Sequence, residues 1–311
     1  MEEAKTAVVL KNVTKKIGSR TIIDNLSLEI HSGEVFGLLG PNGAGKTTTI
    51  RMMVGLISLT RGEIMIYGRS ITKNFTQAIA RVGAIVENPE FYKFLTGYAN
   101  LVHFANMHPG IAAKRIEQVV ALVGLENRIH DPVKTYSLGM RQRLGVAQAL
   151  LHQPAVLILD EPTNGLDPAG IKEMRDYLRQ LAQCAGVTVI VSSHLLTEME
   201  LMCDRAAFIK NGKLLDVKAV GKSAPAEEVC FDVDSPQNAV SRINAELPGI
   251  PVFCFNGGFR ITAERELIAG INALLVGAGI KVYGIKAGSK SLEDMFLEVT
   301  TDETTYETDL Q

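Results

Sequence analysis

The order of apolar runs along the chain predicts an α/β fold built on a parallel sheet, followed by a small α+β domain. Three observations carry this prediction. Val35-Phe36-Gly37-Leu38-Leu39 is a short, fully apolar strand that runs into a glycine-rich loop and then a helix. Val156 to Leu159 and Val187 to Val191 are two more such strands, and the helical stretch Gly170 to Gln183 between them makes a βαβ unit, whose strands are parallel. Beyond Lys218 to Glu228 the order changes to strand, helix, strand, strand, helix, strand.

The elements follow in turn. Ala7 to Leu10 is an apolar strand, and Leu26 to Ile30 alternates with a period of two. His31-Ser32-Gly33 is a turn before the Val35 strand; Thr47 to Leu56 is a helix and Glu63 to Gly68 a strand. From Phe91 to Leu151 the pattern is helical, with Ile116, Val119, Val120 and Val123 at helical spacing. Asn211-Gly212, between Ala206–Ile209 and Leu214-Leu215, is a hairpin signal. Lys218 to Glu228 is small, polar and contains Pro225, and reads as a linker. Strands at 229–233, 252–255, 259–262 and 280–285 and helices at 239–246 and 265–276 then give the β-α-β-β-α-β order of a ferredoxin-like unit. Ser235-Pro236 opens the first of these helices, with a capping hydroxyl and a proline at the first position. A last helix is expected from Ser291, capped by Ser291 with Asp294 three residues on, and an acidic, fraying tail from Thr300. The predicted domains are 1–221, with a helical subdomain at about 90–150, then 222–300, and a tail at 301–311.

Composition narrows the function. The chain has 311 residues, of which 46% are hydrophobic and 21% charged, the make-up of an ordinary globular protein of two domains. A formal charge of −2 gives no electrostatic basis for nucleic-acid binding, and there is no Lys/Arg block to draw the chain to acidic lipid. Cys184, Cys203, Cys230 and Cys254 are scattered and form no Cys-x-x-Cys pair, so reduced thiols in a cytosolic protein are expected, with no disulfide and no metal cluster. The acidic start Met1-Glu2-Glu3 is unlike a signal peptide. Leu267 to Ile280 is shorter than the ~20 apolar residues of a membrane span and holds three glycines; a buried helix running into a strand is expected there.

The chemistry is concentrated in a few segments. Gly40-Pro41-Asn42-Gly43-Ala44-Gly45-Lys46-Thr47 fits G-x-x-x-x-G-K-[ST]. Its glycines let backbone N–H groups turn toward phosphate oxygens, and the helix that follows adds its N-terminal dipole. Lys46 reaches the β- and γ-phosphates of a nucleoside triphosphate, and the Thr47 hydroxyl suits Mg²⁺. Asp160 and Glu161 end an apolar strand, where one carboxylate can hold Mg²⁺ and its neighbour can deprotonate an attacking water. His194 follows the next strand, within reach of a γ-phosphate. Ser137-Leu138-Gly139-Met140 opens a helix as a second phosphate cradle.

Taken together, these segments resemble the ATP-binding-cassette (ABC) ATPases over about residues 6 to 217, a P-loop NTPase fold. In that resemblance Gly40 to Thr47, with Thr48 next, is the Walker A loop that binds ATP, through Asn42, Gly43, Ala44, Gly45, Lys46, Thr47 and Thr48. Leu157 to Glu161 is similar to Walker B, with Asp160 at the Mg²⁺ position and Glu161 at the general-base position. Gly165-Leu166-Asp167 is similar to the D-loop and His194 to the switch histidine. Tyr136-Ser137-Leu138-Gly139-Met140 is similar in frame to the L-S-G-G-Q signature, which in the family faces the nucleotide of an opposite subunit, with Gln142-Arg143 following. The resemblance therefore implies a head-to-tail ATP-sandwich dimer, of two copies or with a paralogous ATPase, to whose ATP Ser137, Gly139 and Asp167 contribute.

Three departures from the family pattern involve four positions. Leu138 and Met140 replace a glycine and a glutamine. Glu87 stands at the Q-loop glutamine, where it could serve catalysis or Mg²⁺. Ile17 stands where an adenine-stacking aromatic is common. With Thr163 to Pro168, the first two departures most resemble the ATPase subunits of bacitracin- and lantibiotic-type peptide antibiotic exporters. That resemblance implies an ATPase peripheral on the cytoplasmic face of a membrane, bound to an integral membrane permease near Glu87 to Tyr92, with Phe91 and Tyr92 either lining a groove for it or packing within their own subdomain. The alternative is a soluble ABC ATPase acting on ribosomes, DNA or iron–sulfur assembly. One P-loop, and no room for a coiled-coil insertion between Lys46 and Asp160, argue against that class. The ferredoxin-like order suits a sensor, a dimer-forming module or an inert domain alike.

Overall fold

The computed structural model describes residues 5–108, 110–220, 227–247, 249–255, 257–263 and 265–287. The chain forms two compact units, Met1–Lys218 and Ala219–Gln311.

In the first unit, β1 (Thr6–Ile17) and β2 (Arg20–His31) form a long antiparallel hairpin, which β4 (Arg61–Ile66) and β5 (Arg69–Ser70) extend into a sheet of order β2-β1-β4-β5. β1 and β2 run well beyond the predicted Ala7–Leu10 and Leu26–Ile30. Their outer faces are polar, and several register shifts break the period-two pattern that sequence reading relies on. The second sheet has the order β10-β9-β3-β8-β7-β6, from β3 (Val35–Leu39), β6 (Val82–Ile85), β7 (Val156–Asp160), β8 (Thr188–Ser193), β9 (Arg205–Lys210) and β10 (Lys213–Ala219). β3 pairs in parallel with β8 and β9, and β7 in parallel with β8 and β6. Every residue of β3, β7 and β8 is buried, so their apolar residues run consecutively rather than alternating with exposed polar ones. Phe36, Leu38, Ile158 and Ile190 join Val8, Leu10, Ile23 and Leu26 of the first sheet in one core.

The helices are set by local signals. α1 (Lys46–Met53) begins at Gly45 and stops at Met53, short of the predicted Leu56, because the chain turns at Gly55 (φ +73°). α2 (Phe75–Ile79) and α7 (Leu196–Met202) are too short to carry a full apolar period. The stretch predicted as helical resolves into α3 (Gly97–Ala105), α4 (Ala113–Leu122), a 3₁₀ turn (Val133–Thr135) and α5 (Leu138–Ala149), with α3 capped by the Thr96 hydroxyl. α6 (Pro168–Ala185) is capped by Asp167, starts at Pro168 and ends on Gly186 in the left-handed conformation. Asn211 (φ +51°) and Gly212 (φ +77°) make the β9–β10 turn with the two positive angles of a type I′ hairpin.

The expected linker is shorter than the composition implied, since β10 runs to Ala219 and β11 (Glu227–Val233) starts before Glu228. In the second unit β11, α8 (Pro236–Glu246), β12 (Val252–Phe255), β13 (Gly258–Ala263), α9 (Arg265–Gly277) and β14 (Val282–Ala287) give the order β-α-β-β-α-β. The sheet order is β12-β13-β11-β14 with antiparallel neighbours throughout, the ferredoxin-like topology. Phe231 and Phe259 stack with ring centroids 5.0 Å apart, over Ala239, Ile243, Ile271 and Leu275 of the two helices. α8 starts where expected, but the Ser235 hydroxyl makes no capping bond, its backbone (φ −137°, ψ 74°) lying away from the usual cap geometry. The helix expected from Ser291 and the tail from Thr300 lie outside the described residues. No described helix is long and apolar enough to cross a membrane.

One half-buried titratable group makes stability depend on pH. His152 Nε2 lies 3.0 Å from the Val82 carbonyl, and His108 stacks on the ring at 4.9 Å. Burial pushes the imidazole pKa below its ordinary value, His108 and Arg115 add to this, and the Val82 carbonyl opposes it. The unfolded chain therefore takes up the proton first. This contribution is fully present above the ordinary histidine pKa of about 6.5 and is lost as pH falls through the folded value. Between about pH 7.5 and 5.5 the unfolding free energy of His152→Gln should fall less steeply than that of the wild type, the difference staying under about 1.4 kcal/mol per pH unit. Urea titrations at each pH measure it.

Candidate active site

The site is assembled where parallel strands end. β3 runs into Gly40, at which a side chain is impossible: a Cβ would sit 2.1 Å from the Ile209 carbonyl oxygen of β9. Gly45, in a left-handed conformation (φ +108°), turns the chain into α1, and no side chain caps that helix. The first-turn N–H groups of α1 thus end in an anion-binding arrangement. Lys46 is 6% exposed. Its ammonium donates to the Gly40 carbonyl at 2.7 Å and lies 3.5 Å from Glu161 Oε1. Asn42 and Gly43 are exposed, and Ala44 is buried beneath them.

Asp160 and Glu161 close β7 at the same level. The Thr47 hydroxyl donates to Asp160 Oδ1 at 3.2 Å. Hydroxyl and carboxylate are hard oxygen donors, and Mg²⁺ on a nucleotide takes most of its ligands from phosphate and water, so this pair fits the ion. Among the described residues no cluster of three or more His, Cys, Asp or Glu could hold a metal by itself. Ser192 of β8 ties the two acids together. Its hydroxyl donates to Asp160 Oδ1 at 2.5 Å and accepts the Glu161 backbone N–H at 3.0 Å. Glu161 has a positive φ of +50°, uncommon for a side-chain-bearing residue, and the bond to Ser192 helps to hold it there. His194 Nδ1 is 2.9 Å from Glu161 Oε2. Lys46, Thr47, Asp160, Glu161 and His194 therefore form one connected constellation.

The remaining candidates lie apart from it. Ser137 caps α5, its hydroxyl accepting the Met140 N–H at 3.2 Å. With Leu138 and Gly139 it lines a cleft of about 440 Å³ shared with Gly165, Leu166 and Asp167, and no residue of the 40–47 loop takes part. Asp167 accepts the Gly170 N–H and caps α6. Leu138, the side chain in place of a glycine, lies where a Cβ on Gly165 would come within 2.8 Å of it, so it fills space that Gly165 leaves. Glu87 follows β6 and pairs with Arg51 of α1 rather than with Thr47 or Asp160. Ile17 ends β1 and is 59% exposed. Phe91 is buried, edge-on to Phe104, whereas Tyr92 and Phe94 are exposed.

Comparison with known proteins decides the family. The chain is 56% identical to an uncharacterized ABC transporter ATP-binding protein, YhcH, of Bacillus subtilis, across 95% of this chain and 96% of that protein. The chain belongs to the ABC transporter family. It is an ABC-type ATPase with the P-loop NTPase fold. The family's ABC transporter profile matches residues 23–164. The bacitracin transport ATP-binding protein BcrA of Bacillus licheniformis is 40% identical over 94% of this chain and 97% of its own. The lantibiotic transport ATP-binding protein SrtF of Streptococcus pyogenes is 41% identical over 71% of this chain and 94% of its own. Among solved structures, a dimeric ATP-binding cassette in a post-hydrolysis state with ADP and Pi superposes with a TM-score of 0.62, at 25% identity, covering 68% of this chain and 98% of that one. The ATP-binding subunit of another ABC transporter gives 0.61 at 27% identity, over 69% and 90%.

Sequence reasoning passed over two residues of this ABC ATPase. Ser192 lay just past the predicted strand Val187 to Val191, and only the register of β7 against β8, with Asp160 opposite Ser192, reveals its two bonds. Arg51 carried no signal apart from its place one turn after Thr47. Ser192→Ala removes one donor and one acceptor at a buried carboxylate. It should cost about 1–3 kcal/mol of unfolding free energy and lower kcat for ATP more than it raises KM; denaturant titration and steady-state ATPase assays measure the two effects.

Proposed function

We propose that this chain hydrolyses ATP between two copies, or between itself and a paralogous ATPase, and that closure of this dimer drives export through a separate integral membrane permease. The observation that carries the reading is the position of Glu161. It lies between Lys46 and His194, one residue after the carboxylate that faces Thr47.

In this reading the loop Asn42 to Thr48 wraps the phosphates, and the Lys46 ammonium moves from Gly40 and Glu161 onto the β- and γ-phosphates. Ile17 covers one face of the base. Thr47 and Asp160 hold Mg²⁺, which when bound screens the phosphate charge and favours in-line attack. Glu161 takes the proton of the attacking water, and His194 orients that carboxylate and approaches the γ-phosphate. Ser137, Gly139 and Asp167 line a cleft apart from their own P-loop and act on the nucleotide of the opposite subunit. Glu87, held by Arg51 on the helix that carries Thr47, links the end of β6 to the nucleotide rather than ligating the metal. A cleft of about 900 Å³, lined by Ile79, Val82, Phe104, Met107 and Leu151, and the exposed Tyr92 and Phe94 form the surface toward the permease. The chain then sits on the cytoplasmic face of the membrane without entering it. Peptide antibiotics are the cargo class, on the strength of the bacitracin and lantibiotic transport relatives.

Glu161→Gln keeps the shape and removes the base. It should reduce kcat by about 10²- to 10⁴-fold and accumulate an ATP-bound dimer, visible by sedimentation velocity with radiolabelled nucleotide. Near-normal turnover would remove Glu161 from the base role.

A further inference from the structure

The ferredoxin-like sheet has β12 at one edge and β14 at the other. Among the described residues β12 pairs only with β13. Its residues Val252-Phe253-Cys254-Phe255 include no charge and no proline, the usual devices that keep an edge strand from pairing with another chain. The opposite edge, β14, carries Lys286. Phe253 is 58% and Phe255 45% exposed. Both project from the face away from α8 and α9, because Phe253 lies opposite Arg260 and Phe255 opposite Gly258, while Cys254 lies opposite the core residue Phe259. The Arg260 guanidinium covers the Phe253 ring from one side, 5.5 Å from its centre.

We propose that β12 pairs with β12 of a second copy, antiparallel across a two-fold axis, to join two ferredoxin-like sheets into one within the ATP-bound dimer. Directly opposed residues of an antiparallel pair point to the same face. Joining the two aromatic faces therefore sets odd-numbered residues against odd and even against even. Registers centred on Phe253 and on Cys254 overlap equally, but only the one centred on Cys254 sets phenylalanine against phenylalanine for all four rings. It sets Phe253 against Phe255 of the second copy, Phe255 against Phe253, and Cys254 against itself. Four phenylalanines then cover one another on a single face. A two-fold axis also confronts charges with their own copies. The β12 edge has none to confront, whereas the same operation on β14 brings Lys286 toward its copy. This charge difference selects β12.

A four-residue edge buries far less than the ~1,200 Å² of a stable independent interface. The pairing holds only where two copies are already tethered, at the millimolar effective concentration of a linked pair. It thus rests on the proposed ATP-dependent dimer, and it makes the second unit a contact that forms with nucleotide.

Cysteine cross-linking of the full chain tests this. In a Glu161→Gln background with Cys184→Ser and Cys230→Ala, a short bismaleimide should yield a covalent dimer with ATP and not without it, and mass spectrometry should locate the link at Cys254 to Cys254. Phe253→Lys with Phe255→Lys should lower that yield about tenfold or more, while sedimentation with ATP still reports a dimer and thermal unfolding is unchanged. An ATP-dependent dimer in sedimentation without the Cys254 link, or a link indifferent to the two lysines, overturns the edge pairing alone. If ATP produces no sedimenting dimer, the ATP-sandwich reading and the edge pairing fall together.

Discussion

Parallel registration of β3, β8 and β7 is the constraint on which the site depends. Leu39 pairs with Ser193, and Asp160 with Ser192, so three strands end at one level. The loops leaving those ends carry the glycines and Lys46, the acid pair, and His194. Because all three strands are buried on both faces, their register is fixed by packing against the helices and the antiparallel sheet, at a considerable hydrophobic cost for any slip. Gly40 shows how tight the arrangement is. The loop passes so close to the β9 carbonyl at Ile209 that even a methyl group is excluded.

The acids at the strand ends are held in different ways. Asp160 is buried and accepts hydrogen bonds from Thr47 and Ser192, a setting for a fixed charge. Glu161 is bent out of the strand direction by its positive φ and reaches Lys46 on one side and His194 on the other. Two adjacent carboxylates repel. A lysine ammonium and several hydrogen-bond donors within reach offset that repulsion, and nucleotide would compete for the same lysine.

Much of this was legible in the sequence because the signals were local. The Gly40–Thr47 pattern, the apolar runs before Asp160 and His194, and Asn211-Gly212 at a hairpin each state their structure within a few residues. The parts that were not legible depend on partners distant in the chain. The two bonds of Ser192 come from strand register. The Glu87–Arg51 pair joins residues on different elements. The Leu138 substitution is accommodated by Gly165, a pairing no local pattern announces. β1 and β2 were underestimated because bulges and polar outer faces hide their alternation. Ser235 had the right residue type for a cap but the wrong backbone angles.

The central claim is that a working site needs two chains, with the P-loop of one and the Ser137–Gly139 segment of the other. Gly139 allows a clean test, since a Cβ there would come no closer than 3.6 Å to Leu166, so Gly139→Asp fits its own subunit and places a negative charge against a facing phosphate. Lys46→Ala disables the P-loop half. The measurement is the ATPase rate of the two inactive variants mixed in equal amounts. A composite site in a two-fold dimer predicts recovery to about a quarter of the wild-type rate, because half of the dimers are mixed and each mixed dimer has one intact site of two. A mixture no more active than its separate components would contradict the account.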